Sequence, residues 1–303
     1  MADILFLGTS ASVPSRERSL PCIAVRLNRD IILFDCGEGS QRQLMASPFS
    51  FMKIKAIFVS HLHGDHFLGI PGLLQTMNMS GRKDDIVLIG PDGFKEIMGH
   101  LIKACGDILY RMDIIEASDG DTFVFKEFTV KAFSVLHNIR SLGFVFEENE
   151  RPGRLNRSKA ISLGIEPGPD FSRLQKGETV NGVTSKEVTG TPRKGLKIVY
   201  SGDTVSFPRI AQIAKNAEVL IHEATYSSED SELAKKHMHS TAHDAASAAK
   251  DADVSLLIIT HTSNRYDDLS ILEDECRKIF PNTVLAEDMM LFTVRSSSED
   301  RHS

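Results

Sequence analysis

Three histidines and one aspartate fall within six consecutive residues of this chain. The run HLHGDH occupies residues 61–66 and directly follows an apolar stretch with the composition of a buried strand. Residues two apart in an extended segment face the same way, so His61 and His63 are predicted to bind one metal ion. The glycine that follows permits a sharp turn. Asp65 and His66 would then open a helix and face a second ion.

Further ligands are expected where other predicted strands end. His137 follows FTVKAFSVL, Asp203 follows IVYSG, and His261 follows LLIIT. Each residue alone is typical of an ordinary strand end, but together with the six-residue run they supply enough side chains for two four-coordinate ions. Imidazole and carboxylate ligands favour zinc, with manganese or iron as alternatives.

The composition limits the class of protein. The chain has 303 residues, a formal net charge of -6 and no C-x-x-C pair among its four cysteines. A nucleic-acid binder is usually basic, so the net charge argues mildly against one, although metal ions and local basic patches can reverse the sign near a site. The sparse cysteines and the lack of a leader or a long apolar run predict a cytoplasmic protein without a membrane partner.

The order of predicted elements indicates an α/β fold. Strands are predicted at 4–7, 22–27, 31–34, 55–60, 86–89, 128–135, 198–201, 219–222 and 256–260. Helices are predicted at 37–45, 67–77, 94–105, 209–215, 242–251 and 271–279. We therefore expect one domain over 1–303 with two sheets packed face to face and helices outside, an αββα sandwich.

One basic stretch interrupts this pattern. Residues 150–178 are rich in glycine and proline and predict a protruding arm inserted in the domain. Six basic residues outnumber two acidic ones between 151 and 177, which is the footprint expected for binding a nucleic-acid backbone, although such a stretch is often only a solvated loop. The candidate substrate-binding residues are Arg151, Arg154, Arg157, Lys159, Arg173 and Lys176. The tail at 296–303 is expected to be disordered.

Several segments together resemble a known family. HLHGDH resembles the signature of the metallo-β-lactamase fold. FLGTSASVPSRER, FDCGEGSQRQL, GIPGLL, YSGDT, HEAT and HTSNRY are similar to blocks of the ribonuclease Z family and occur in that family's order. GPDFSRLQKGE resembles part of the arm with which the family grips tRNA.

The resemblance implies roles for the matching residues. His61, His63 and His137 would hold one zinc, and Asp65, His66 and His261 the other. Asp203 would bridge the two ions, and Asp65 would also orient or deprotonate the attacking water.

A general acid for the leaving group is also implied. Within the HEAT and HST segments, the resemblance makes His239 the general acid and Glu223 the residue that orients it. His237 and His243 lie close enough in sequence to be confused with His239.

The implied activity is cleavage of precursor tRNA just after the discriminator nucleotide, leaving a 3′-hydroxyl on the tRNA and a 5′-phosphate on the trailer. The family also implies a homodimer, two zinc ions per subunit with manganese as the alternative, and no nucleotide cofactor.

Two other functions share parts of this pattern. A small-ester or small phosphodiester hydrolase would carry the same HLHGDH run, so that run alone does not discriminate between them. A catalytically silent RNA-binding protein would be expected to have lost ligands, yet each expected position is filled.

Overall fold

A computed structural model of the chain describes residues 1–150 and 153–295, and within them the strands form two seven-stranded sheets. The first sheet contains β1 (Ala2–Gly8), β2 (Cys22–Leu27), β3 (Asp30–Phe34), β4 (Ile54–Phe58), β5 (Ile86–Gly90), β6 (Met112–Glu116) and β14 (Leu291–Val294). Its strand order is β14-β1-β2-β3-β4-β5-β6, and β3 to β6 pair in parallel.

The second sheet has a matching plan. It contains β7 (Thr122–Val124), β8 (Phe128–Val135), β9 (Ser141–Glu148), β10 (Lys197–Tyr200), β11 (Val219–Glu223), β12 (Leu256–Thr260) and β13 (Thr283–Leu285). Its strand order is β13-β12-β11-β10-β9-β8-β7, and β10 to β13 pair in parallel. Each sheet therefore presents the carboxyl ends of a parallel block at one edge.

Helices cover the outer faces of the sheets. The helices before β9 are α1 (Ser40–Ala46), α2 (Gly64–Phe67), α3 (Ile70–Met79) and α4 (Phe94–Cys105). Between β9 and β10 lie α5 (Arg157–Ser162), α6 (Pro169–Gln175) and α7 (Ser185–Val188). The later helices are α8 (Pro208–Ile213), α9 (Ser231–His237), α10 (Ala242–Ala252) and α11 (Ser270–Ile279).

The main core lies between the two sheets. Phe34 from the first sheet stacks on Phe144 from the second, with ring centroids 5.6 Å apart. A second apolar cluster joins α1, α3 and α4 to the first sheet, and a third joins α8, α10 and α11 to the second. The predicted αββα sandwich is confirmed.

The sequence did not predict every strand. β6, β7, β9, β13 and β14 are missing from the predicted set. β9 contains Gly143, which weakens a strand pattern, but the sheet requires glycine there. A Cβ at Gly143 would lie 2.3 Å from the Phe133 ring on the neighbouring strand.

The predicted arm is part of a longer folded connection. The chain between β9 and β10 builds α5, α6 and α7 around a small apolar cluster of its own, which includes Ala160, Ile165 and Leu174. The Gly190 N–H donates to the Arg154 carbonyl at 3.0 Å, so the two ends of this connection lie side by side. The folded segment thus continues past 178, where the predicted arm ends.

Two predictions fall partly or wholly outside the described residues: the role of Arg151 and the state of the tail at 296–303. Across the described ranges, no helix combines the length and the apolar character needed to cross a membrane.

Candidate metal centre

All seven predicted metal ligands lie together where the carboxyl ends of both parallel blocks meet. His61 follows β4, Asp203 follows β10 and His261 follows β12. His137 follows β8, which runs in the same direction as β10 because each is antiparallel to β9. Side chains at strand ends are held by the sheets themselves, which gives the fixed geometry that a metal site requires.

The first group of ligands consists of three imidazoles. His61 Nε2 lies 2.9 Å from His63 Nδ1, and His63 Nδ1 lies 3.4 Å from His137 Nε2. His137 Nδ1 lies 2.8 Å from the Met238 carbonyl. A carbonyl only accepts, so Nδ1 carries the proton and the lone pair of His137 is on Nε2. Three ring nitrogens that converge in this way are placed to bind one cation.

The second group combines two imidazoles with a carboxylate. His66 Nε2 lies 3.4 Å from Asp65 Oδ2, and His261 Nε2 lies 3.8 Å from the same oxygen. The ligand atoms of these three residues all lie within 4.8 Å of one another. The backbone N–H of Ser12 donates to Asp65 Oδ2 at 3.0 Å, so the loop after β1 orients this carboxylate.

Asp203 lies between the two groups. Its Oδ2 is 3.7 Å from His61 Nε2, 3.4 Å from His66 Nε2 and 3.2 Å from His261 Nε2. One carboxylate therefore reaches ligands of both groups, as a bridging residue must.

The donor atoms fit divalent cations. Among the described residues, the buried atoms without a hydrogen-bond partner include His66 Nε2, His261 Nε2 and Asp203 Oδ1. Buried polar atoms are normally paired, so unpaired ones that converge indicate a missing partner. Burial disfavours a charged imidazole, yet the carboxylates of Asp203 and Asp35 raise the pKa of His66 well above its usual value. The two carboxylates thus favour positive charge beside His66, whereas burial lowers the pKa values of His61, His63 and His137 and disfavours protonation of those rings.

A buried carboxylate behind this centre, Asp35, was not among the predicted site residues. Asp35 Oδ2 lies 2.8 Å from His66 Nδ1 and accepts hydrogen bonds from the Tyr200 hydroxyl at 2.6 Å and the Ser60 hydroxyl at 3.0 Å. A carboxylate on the far nitrogen fixes the ring and leaves the near nitrogen free for metal. The signal was available, since Asp35 directly follows the apolar strand IILF.

A second buried carboxylate, Glu223, supports the opposite side. Its Oε1 lies 2.8 Å from His239 Nδ1 and accepts the Thr204 N–H at 2.8 Å, and its Oε2 accepts the Thr225 hydroxyl at 2.6 Å. Burial disfavours charge on His239, but Glu223 raises the pKa of His239 to about 9. His239 is therefore protonated at neutral pH in this arrangement.

The structure distinguishes His239 from its neighbours in sequence. His237 stacks on Tyr226, with ring centroids 6.3 Å apart, and His243 Nδ1 lies 3.5 Å from the Ser247 hydroxyl. Of these three histidines, His239 is the one that hydrogen-bonds to Glu223. His239 and His237 both line a cleft of about 580 Å³ together with His63, Asp65, His137 and Asp203, so the bond to Glu223, not the cleft, separates these two histidines.

The candidate substrate-binding residues lie apart, on the arm. Arg154, Arg157, Lys159, Arg173 and Lys176 are all exposed. Arg173 is engaged by two carboxylates, at 3.0 Å from Asp170 and 2.9 Å from Glu178, which offsets its charge. Arg154 and Arg157 line a cleft of about 700 Å³ in the arm, opposite Phe171.

Comparisons with known proteins agree with this geometry. Residues 2–151 match the family described as Anti-Pycsar protein Apyc1, and residues 167–262 match the beta-lactamase superfamily domain. Ribonuclease Z of Methanosarcina mazei is 45% identical over 297 residues, covering 96% of this chain and 97% of that protein. Ribonuclease Z of Methanothermobacter thermautotrophicus is 40% identical, covering 98% of each chain.

A solved structure is similar along the whole length. The human short-form tRNase Z superposes with a TM-score of 0.72 at 28% sequence identity, covering 97% of this chain and 99% of that one. The similarity therefore extends over both sheets.

Proposed function

The chain belongs to the ribonuclease Z family, and from this premise we propose that it is a metal-dependent endoribonuclease that processes the 3′ end of precursor tRNA. The observation that carries the proposal is the group of seven converging candidate ligands, four of them buried, beside the His239–Glu223 pair. Cleavage falls directly after the discriminator nucleotide, leaving a 3′-hydroxyl on the tRNA and a 5′-phosphate on the trailer.

The fold implies a divalent metal, and we propose two zinc ions per subunit, with manganese as the alternative. His61, His63 and His137 would hold one ion, Asp65, His66 and His261 would hold the other, and Asp203 would contribute to both sites. Bound ions of this kind neutralise charge on a phosphodiester and make water a nucleophile at neutral pH.

Asp65 holds its position as a carboxylate. Burial opposes its charge, but hydrogen bonds and charge attraction from His261 and His66 lower the pKa of Asp65 far below its usual range. Asp65 therefore accepts hydrogen bonds but does not donate them. This property suits it to orient an attacking water as well as to bind metal.

His239 supplies the proton for the leaving group. Its Nδ1 is occupied by Glu223, so Nε2 is the nitrogen that remains for the cleft that His239 lines. Protonated at neutral pH, it can donate from Nε2 to the departing oxygen. Glu223 stabilises the charged ring before the transfer and keeps it oriented afterwards.

The exposed basic residues of the arm suit a folded RNA. Lysine and arginine contacts to phosphates supply affinity without reading bases, and RNA helices are recognised mostly by shape. We propose that the arm binds the tRNA body while the centre cuts at its 3′ end. A homodimer remains a prediction from the family, and a cytoplasmic location remains a prediction from the sequence. Light scattering in solution tests the first against the chain mass of 33.5 kDa.

The direct test is incubation of a precursor tRNA bearing a 3′ trailer with the protein and zinc or manganese. We expect one cut, mapped by end-group analysis to the discriminator. His61→Ala should lower the cleavage rate by more than about 100-fold. Loss of a residue that only orients a ligand costs up to about 100-fold, and loss of the ligand itself should cost more. The exposed His100 on α4 provides the matched control, His100→Ala, which should cleave normally.

Two other outcomes contradict the proposal. Rapid hydrolysis of a thioester or lactone by a metal-loaded protein that leaves the precursor intact would favour a small-ester hydrolase. Tight binding of the precursor without cleavage would favour a silent RNA-binding protein.

A further inference from the structure

Two hydroxyl groups stand between a buried carboxylate and a ligand histidine. Ser60 Oγ lies 3.0 Å from Asp35 Oδ2 and 2.9 Å from His61 Nδ1. Thr225 Oγ1 lies 2.6 Å from Glu223 Oε2 and 3.0 Å from His261 Nδ1. The first set belongs to one sheet and the second to the other, so the arrangement occurs once on each side of the centre.

Proton counting on the first side fixes the His61 ring. A carboxylate only accepts, and Asp35 already receives the Tyr200 hydroxyl, the Ser60 hydroxyl and the Ser60 backbone N–H at 2.6, 3.0 and 2.7 Å. Ser60 has one hydroxyl hydrogen, which this bond uses. The contact at His61 Nδ1 must then be an N–H that donates to Ser60 Oγ, which leaves the lone pair of His61 on Nε2.

The same reasoning applies on the second side. The Thr225 hydroxyl donates its hydrogen to Glu223 Oε2, because this contact is shorter than the one to the His261 carbonyl and is made to a carboxylate. His261 Nδ1 therefore donates to Thr225 Oγ1. Its Nε2, which has no hydrogen-bond partner among the described residues, keeps its lone pair 3.2 Å from Asp203 Oδ2.

We propose that Ser60 and Thr225 are positioning residues through which Asp35 and Glu223 each orient a second histidine toward the metals. Asp35 holds His66 directly and His61 through Ser60. Glu223 holds His239 directly and His261 through Thr225. The inference rests on the metal sites proposed above, and its test measures metal binding rather than RNA cleavage.

Both hydroxyl groups are buried, which makes each of them hard to replace as the acceptor for its histidine. Ser60 is 0% exposed and Thr225 is 4% exposed, so water cannot replace either oxygen without rearrangement. Removal of the hydroxyl would leave the histidine Nδ1–H without an acceptor. The ring could then turn or place its proton on Nε2, and either change removes the lone pair that faces the metal.

The experiment measures zinc affinity of the metal-free protein by competition with a chromophoric chelator at constant pH. Ser60→Ala and Thr225→Val should each weaken zinc binding roughly 10- to 100-fold. Thr225→Ser keeps the hydroxyl and should bind close to wild type. Thr283→Val is the matched control. Thr283, on β13, is similarly buried, but its hydroxyl donates to the Phe280 carbonyl after α11, so this variant should bind zinc as wild type does.

Three results would overturn the proposal: wild-type zinc affinity in either Ser60→Ala or Thr225→Val, an equal loss in Thr283→Val, or no rescue by Thr225→Ser. A second test needs no variant. In zinc-loaded protein labelled with ¹⁵N-histidine, His61 and His261 must carry their proton on Nδ1, and a proton on Nε2 of either ring contradicts the account. Zinc affinity and the position of the histidine proton can both be measured even if the protein does not cut tRNA. Failure of the nuclease assignment is therefore distinguishable from failure of this proposal.

Discussion

The metal centre and the arm are built in opposite ways. The centre takes its ligands from the ends of strands in both sheets, and most of them are buried and held by further buried groups such as Asp35 and Glu223. The arm takes its basic residues from short helices and the turns beside them, around a small apolar cluster, and those that the structure describes are exposed. Catalysis requires atoms held in fixed positions, whereas recognition of the RNA backbone requires accessible positive charge.

This difference assigns separate tasks to the two regions. Changes at the centre should affect the rate on any phosphodiester, because the bond is broken there. Changes on the arm should affect large RNA substrates alone.

The largest of these effects is expected from loss of the general acid, His239. His239→Ala should lower kcat on precursor tRNA by roughly 10²- to 10⁴-fold, because no group then protonates the leaving oxygen. Single-turnover cleavage and metal content are measured together. His243→Ala is the matched control, since His243 is exposed nearby and should remain active. Metal loss equal to the rate loss in His239→Ala would make it a metal ligand rather than the acid.

A smaller effect is expected from the arm. Arg154→Ala, Arg157→Ala and Lys159→Ala combined should lower kcat/KM on precursor tRNA by about 10-fold and flatten its salt dependence, because each lost phosphate contact reduces the counterions released. Hydrolysis of a small phosphodiester should not change. Lys83→Ala, Lys103→Ala and Lys278→Ala combined remove the same charge from exposed positions elsewhere. Equal losses in both triple variants would mean that net charge, not the arm, matters.

The smallest effect is a shift in pH dependence. Glu223 raises the pKa of His239, so the acid form persists to higher pH than in an isolated histidine. In Glu223→Gln this pKa falls, and the alkaline limb of kcat should move to lower pH. The measurement is a pH–rate profile of the metal-loaded enzyme. An unchanged alkaline limb would show that His239 is not the group that titrates there.

The fold and the ligand set followed from local signals. HLHGDH lies within six residues, and the strands before His137, Asp203 and His261 are apolar enough to be recognised. Resemblance to the family then supplied the proposed grouping of these ligands, and in the structure the side chains of each proposed group lie close together. These features depend on short stretches of chain, so one sequence suffices to find them.

The supporting groups required the tertiary structure. Asp35 and His66 are 31 positions apart and Tyr200 lies on the other sheet, so their contact cannot be derived from spacing. The strand with Gly143 was missed for a similar reason, since the need for glycine comes from the Phe133 ring across the sheet. The end of the arm was also missed, because it is defined by the backbone hydrogen bond between Gly190 and Arg154 and not by composition.

The most direct test of the division of tasks is replacement of the arm by a short linker. Gly153 and Gly190 lie in contact, so joining them removes residues 154–189 with little disturbance of the sheets. With zinc or manganese, the account predicts that this variant loses cleavage of precursor tRNA but hydrolyses a small chromogenic phosphodiester at the wild-type rate. If the folded variant still cuts precursor tRNA as efficiently as wild type, the arm does not select the substrate and the central claim is wrong.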